Sequence, residues 1–150
     1  MTLRTIEWKN NEVIMIDQTK LPNELVYVKF TDYNDVAEAI RTLVVRGAPA
    51  IGVSGAFGMA LAGLQSKAET KEELLSDLEK AQKILFMTRP TAVNLAWGLE
   101  QIMKVAKEYG AEVPFIRPKK FSTDSSGFGD VIAHGIKKLF SLIIKNTGIQ

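Results

Sequence analysis

The chain has 150 residues, of which 46% are hydrophobic and 24% are charged, with a formal net charge of +2. These totals are typical of one soluble globular domain, with or without an extension. The sequence contains no cysteine, which excludes disulfides, thiolate metal sites and a cysteine nucleophile within it; together with an N-terminus unlike a secretory signal, this favours a cytoplasmic protein.

The first 30 residues predict a small antiparallel sheet. Residues 5–8 and 12–16 are rich in strand-forming side chains and flank Lys9-Asn10-Asn11, a hairpin turn pattern. A third such run, residues 25–30, follows the breaker Leu21-Pro22-Asn23.

Four helices are predicted next. The first has an apolar stripe at i, i+3, i+4, i+7 and i+8, formed by Val36, Ala39, Ile40, Leu43 and Val44. Pro49 suits the first position of a second helix that runs to about Gln65. Residues 70–73 form a capping box for the third, and Pro90 and Gly110 suit the start and stop of the fourth. The sequence therefore predicts an α+β fold in which antiparallel strands precede a helical bundle.

Residues 48–64 contain no charged side chain, but they fall short of the roughly 20 residues that span a bilayer. We expect a buried helix and no membrane contact. Gly52, Gly55 and Gly58 recur there every three residues, which indicates either close approach of a ligand or close helix packing. We expect Gly52 near a ligand and Gly58 deep in the bundle.

The composition changes near Gly110. Residues 113–129 read as loop, and Ile132, Ile136, Leu139, Phe140 and Ile143 indicate one amphipathic helix. We divide the chain into a domain of residues 1–110 and a divergent tail of residues 111–150.

Residues 46–52 hold the strongest functional signal. A helix that begins at Pro49 leaves N–H groups free at its positive end, and such an end binds anions. Gly47 allows a ligand to approach, and Arg46 presents a planar fork that matches phosphate.

The run Arg89-Pro90-Thr91 repeats the arrangement, because an arginine again precedes a proline. The two helix starts converge on one anion in this interpretation, with Thr91 and Asn94 as neutral donors. The alternative is that each arginine pairs with a carboxylate or caps a neighbouring helix, and the sequence does not decide between them.

Other chemistry has little support. His134 is the only histidine, so neither a metal cluster nor a histidine-based triad is expected. No phosphate-binding loop or dinucleotide fingerprint occurs, and Trp8 and Trp97 suit core positions better than base stacking. We expect no cofactor, no metal and no nucleic acid partner.

Two blocks carry a family resemblance. Residues 40–52 and residues 88–99, with the opening Thr5-Ile6-Glu7-Trp8 and residues 17–22, resemble the N-terminal half of the methylthioribose-1-phosphate isomerase family over about residues 3–109. The resemblance implies aldose–ketose isomerisation in methionine salvage. It also implies that Arg46, Gly47, Ala48 and Arg89 bind the sugar-phosphate substrate.

The sequence departs from that family after Gly110. The family's catalytic cysteine and aspartate lie in a C-terminal Rossmann-like domain, which residues 111–150 do not resemble. We therefore expect a truncated part, a frameshift product or a divergent protein, without catalytic residues and without turnover. The relatives leave two alternatives: a ribose-1,5-bisphosphate isomerase relative, or a non-catalytic regulatory or assembly subunit like those of the translation-initiation exchange factor.

The family is expected to be homodimeric, and self-association is expected here. Residues 48–64 and the stripe Leu95, Leu99, Ile102 and Met103 hold more apolar area than a small sheet covers. We expect part of that area to be bare unless the last helix covers it.

Overall fold

A computed structural model describes residues 4–112, which form a three-stranded sheet followed by four α-helices. The elements are β1 Ile6–Lys9, β2 Glu12–Ile16, a 3₁₀ turn Gln18–Lys20, β3 Tyr27–Phe30, α1 Tyr33–Arg41, α2 Ala48–Gln65, α3 Lys71–Thr88 and α4 Val93–Glu112. The predicted α+β class is confirmed. The predicted loop at residues 113–129 and the final amphipathic helix lie outside the described residues, so the boundary at 110 stays a prediction.

The sheet has the order β1-β2-β3 and is antiparallel throughout. Lys9 pairs with Glu12, so Asn10 and Asn11 form a two-residue turn, with φ of 53° and 61°. Two positive φ angles define the type I′ hairpin turn, and asparagine tolerates that conformation better than most residues. The predicted hairpin is confirmed.

Helix α2 lies at the centre of the bundle. It contacts the other three helices and strands β1 and β2, and its residues from Ala50 to Gly63 are all buried. This helix is apolar enough to span a membrane by length and composition, but 78% of it is buried inside the protein. Small side chains on every face allow neighbours to surround it, as predicted for a buried core helix.

Helix α1 ends earlier than its apolar stripe suggests. The stripe continues to Leu43 and Val44, but the helix stops at Arg41. Leu43 adopts a φ of 64°; its N–H donates to the carbonyl of Ile40, and the N–H of Val44 donates to the carbonyl of Ala39. This is the Schellman arrangement that closes a helix.

The start of α3 matches its predicted capping box. The Thr70 hydroxyl accepts from the Glu73 N–H at 3.1 Å. The Glu73 carboxylate in turn accepts from the N–H of Glu69 at 3.0 Å, one residue before the usual partner. Two backbone donors at the helix start are thereby satisfied.

The predicted limits of α4 are wrong at both ends. Pro90 lies in a turn closed by the Ala92 N–H and the Arg89 carbonyl at 3.0 Å, and the helix begins at Val93. A proline suits the second position of a turn as well as a helix start, because both need a φ near −65°. The helix then passes Gly110 and continues to Glu112, the last residue that the structure describes.

The predicted bare apolar face depends on whether the last helix covers it; that helix lies outside the described residues, so the expectation stays a prediction. The stripe Leu95, Leu99, Ile102 and Met103 is buried in the single core cluster of the described residues. Among the described residues, the two most exposed large apolar side chains are Met87, 67% exposed near the end of α3, and Val93, 78% exposed at the start of α4.

Candidate anion site at two helix N-termini

The first turns of α2 and α4 lie side by side. A Cβ built on Gly52 would lie 2.8 Å from the carbonyl oxygen of Asn94, and one on Gly98 would lie 2.6 Å from that of Gly52. One turn further along, Gly55 faces the side chains of Leu95 and Leu99. Because the contacts advance in the same direction along both helices, the two N-termini are at the same end of the bundle.

These two helices differ from their neighbours in how they begin. Asp32 caps α1 by accepting from the Asn34 N–H at 2.8 Å, and Thr70 caps α3. Helix α2 follows Gly47, which makes no side-chain cap, and α4 follows Ala92, which has no polar side chain. The two adjacent helix starts therefore have no side-chain cap from the described part of the chain.

Within residues 4–112, backbone donors are consequently left free at both starts. The first intrahelical donors are the N–H groups of Ile51 in α2 and Ala96 in α4. No residue within 4–112 accepts from the preceding N–H groups, which belong to Ala48, Ala50 and residues 93–95. Free donors and the positive ends of two helix dipoles favour an anion at this place.

Position 47 requires glycine because of its backbone conformation. Its φ is 94° and its ψ is 131°, a combination that side chains disfavour. A Cβ there would have no atom within 4 Å, so the space beside Gly47 is open to a ligand. The sequence suggested that Pro49 is the first residue of α2. It is the second, because Ala48 already belongs to the helix.

Arg46 and Arg89 have no side-chain partner among the described residues. Arg46 is exposed and Arg89 is half-buried. The ion pairs within residues 4–112 are Arg4–Glu7 and Arg41–Glu38. The alternative that each arginine pairs with a carboxylate therefore has no support in this part of the chain.

Arg89 does not immediately precede α4. It is the C-cap of α3 and the first residue of the turn that leads to Val93. The turn also holds Thr91, which is exposed, while Asn94 in the first turn of α4 is half-buried. The fold thus carries both arginine-bearing segments to the two neighbouring helix starts.

The remaining candidates play structural parts or lie outside the described residues. The ring of Trp8 lies 5.6 Å from that of Phe57, and Trp97 packs against the core. His134 lies outside the described residues. Gly98 was not recognised from the sequence, although a lone glycine inside a helical pattern is a signal of close packing.

Residues 4–112 thus form an α+β domain in which two adjacent helix starts have no side-chain cap, and in which Arg46 and Arg89 have no side-chain partner. The chain belongs to the Initiation factor 2 subunit family, whose model matches residues 44–125. The family resemblance seen in the sequence is thereby confirmed.

Curated relatives support the same branch of the family. Methylthioribose-1-phosphate isomerase from Geobacter metallireducens is 52% identical over 108 residues, which are 72% of this chain and 31% of that protein. The protein of the same name from Trichlorobacter lovleyi is 54% identical over 106 residues, 71% of this chain and 31% of that protein. The chain thus spans about a third of the length of these relatives.

Two solved structures share the fold. The 5-methylthioribose 1-phosphate isomerase of Pyrococcus horikoshii is 44% identical, with a TM-score of 0.76, over 91% of this chain and 35% of that one. The delta subunit of translation initiation factor eIF-2B from A. fulgidus is 34% identical, with a TM-score of 0.74, over 92% of this chain and 36% of that one.

Proposed function

We propose that this domain binds the phosphate of an aldose 1-phosphate and is the N-terminal, substrate-binding part of a methylthioribose-1-phosphate isomerase. Relatives of that name are about half identical to it over their N-terminal third. The proposed binding set is Arg46, Gly47, Ala48 and Arg89.

The observation that carries the proposal is the pair of adjacent helix starts without caps. Each start offers free N–H groups, and each is accompanied by an arginine with no partner within residues 4–112. Phosphate accepts several hydrogen bonds and carries the charge that both helix dipoles and both guanidinium groups favour.

The chemistry of the reaction limits what a phosphate-binding site can contribute to catalysis. A phosphate on C1 prevents opening to a free aldehyde, so a proton or hydride must move between C2 and C1 under a positioned acid–base pair. Phosphate binding stabilises the substrate and the transition state alike, and so does not raise the turnover rate by itself. The proposed role of these residues is therefore to bind and orient the substrate.

A titration of methylthioribose 1-phosphate into the purified chain tests the proposal. Arg46→Ala and Arg89→Ala are each expected to weaken binding by about 1.5–3 kcal/mol, the usual range for a hydrogen bond to a charged group. Arg41→Ala is the matched control, because Arg41 is exposed on α1 and already paired with Glu38. Equal affinity in all three variants would contradict the proposed site.

A second function has a structural observation in its favour, namely the similarity to the initiation factor delta subunit. A regulatory or assembly subunit needs a surface for protein partners and has no need of a sugar-phosphate site. The same titration separates the two functions, since a regulatory subunit would not bind methylthioribose 1-phosphate. Competition by ribose 1,5-bisphosphate tests the remaining alternative, a relative of ribose-1,5-bisphosphate isomerase.

We also propose that the chain self-associates, as the family resemblance implies. The exposed side chains of Met87 and Val93 are candidates for such a contact, because exposed apolar surface favours interfaces. Light scattering at increasing protein concentration tests it; a constant monomer mass would contradict it.

A further inference from the structure

The glycines of α2 meet two different kinds of neighbour. A Cβ on Gly58 would lie 3.1 Å from terminal carbons of Leu85, and one on Gly55 would lie 2.4 Å from a terminal carbon of Leu95. Such side chains can rotate away. Gly52 and Gly98 instead face backbone, which cannot yield without moving a whole helix.

The contact between Gly52 and Gly98 fixes how closely α2 and α4 approach. A Cβ on Gly98 would lie 2.6 Å from the Gly52 carbonyl oxygen, whereas ordinary contact begins at 3.4 Å. A methyl group at position 98 must therefore push the two backbones apart by roughly 0.8 Å. For comparison, a misplacement of about 1 Å in an enzyme can lower the reaction rate about a hundredfold.

This contact lies directly behind the free donors. Gly52 follows Ala48 and Ala50 in α2, and Gly98 follows residues 93–95 in α4. The separation of the two helix starts is therefore set at Gly98, although glycine has no side chain that could contact a ligand.

We propose that Gly98 is a positioning residue of the anion site: by holding the α4 backbone against the Gly52 carbonyl, it places two helix starts where they share one phosphate. This inference rests on the proposed function, and it adds that the two starts act as one site. Gly98 itself touches no ligand.

Inorganic phosphate is the probe, added to the full chain while backbone amide resonances are followed by NMR. In the wild type the amides of Ala50 in α2 and Leu95 in α4 are expected to shift with one common Kd. Two different Kd values, or a response in one helix alone, would overturn the shared site without any variant. Absence of binding would overturn the proposed function as well.

Gly98→Ala is then expected to weaken phosphate binding by about tenfold or more, while the matched control Gly58→Ala, in which Leu85 can rotate aside, binds within about twofold. Arg89→Ala supplies the readout that a purely structural role would not change. It should cost much less affinity in the Gly98→Ala background than in the Gly58→Ala background, because the displaced start no longer shares the ion.

If Gly98→Ala binds phosphate as the wild type does, or if Arg89→Ala costs the same in both backgrounds, Gly98 has no positioning role and the proposed function stands. If Gly98→Ala does not fold, the common Kd of the wild-type amides decides the shared site.

Discussion

The side-chain oxygen of Gln65 accepts a hydrogen bond of 2.9 Å from the backbone N–H of Tyr33. These residues are 32 positions apart, and they join the last residue of α2 to the first residue of α1. Asp32 satisfies the next donor of α1, the Asn34 N–H. The start of α1 is therefore held by one local cap and one long-range cap.

Gln65→Ala is expected to lower the free energy of unfolding by about 0.5–1.5 kcal/mol, the usual net contribution of one hydrogen bond. Urea denaturation measures this loss. Gln82→Ala is the control, since the side chain of Gln82 is half-buried and makes no hydrogen bond within the described residues. Equal stability of the two variants would show that the long-range cap contributes nothing.

Asp32 makes stability depend on pH. The Asn34 backbone N–H, which donates to this carboxylate, lowers the pKa of Asp32 below its ordinary value of 3.8, against a smaller opposing effect of burial. A lowered folded-state pKa means that the ionised group stabilises the fold above pH 3.8, and that this contribution is lost as the pH falls through the lower value.

Asp32→Asn keeps a capping oxygen and removes the charge. The stability advantage of the wild type over this variant should therefore shrink as the pH is lowered from about 5 to about 2. Urea denaturation of both proteins across that range checks it, because their other acidic groups are shared and cancel in the difference. A constant difference would contradict this account of Asp32.

Gly47→Ala is expected to destabilise the chain by about 1–3 kcal/mol, the usual range for a residue forced into a sparsely populated backbone region. The reason is the φ of 94° and not crowding, since a Cβ would have open space around it. The variant should also bind phosphate more weakly, because relief of the strain moves the start of α2. Gly58→Ala, at a helical φ, should cost less; a reversed order would contradict the explanation.

The 150-residue chain is expected to bind methylthioribose 1-phosphate without converting it. Binding alone gives no acid–base catalysis, and the sequence has no cysteine to serve in the role that the family resemblance assigns to one. Product analysis after incubation with substrate measures this. Formation of methylthioribulose 1-phosphate would mean that other groups, such as Asp124, Asp130 or His134, supply the chemistry.

Local physical chemistry determined those features that could be predicted from the sequence. Asn10-Asn11 favours a tight hairpin turn, Thr70 with Glu73 favours a helix start, and an uncharged run rich in alanine and glycine favours a buried helix. Each preference depends on a few neighbouring residues. The tertiary structure agrees with all three.

Where a residue suits two local conformations equally well, the tertiary structure determined which one forms. Pro90 suits a turn as well as a helix start, and here it lies in a turn before α4; Gly110 is tolerated within a helix as well as after one, and here it lies within α4. The approach of Gly98 to the Gly52 carbonyl joins residues 46 positions apart, and no local pattern encodes it. The arginines and the two helix starts could be recognised in the sequence, but the meeting of those helix starts at one end of the bundle depends on that long-range contact.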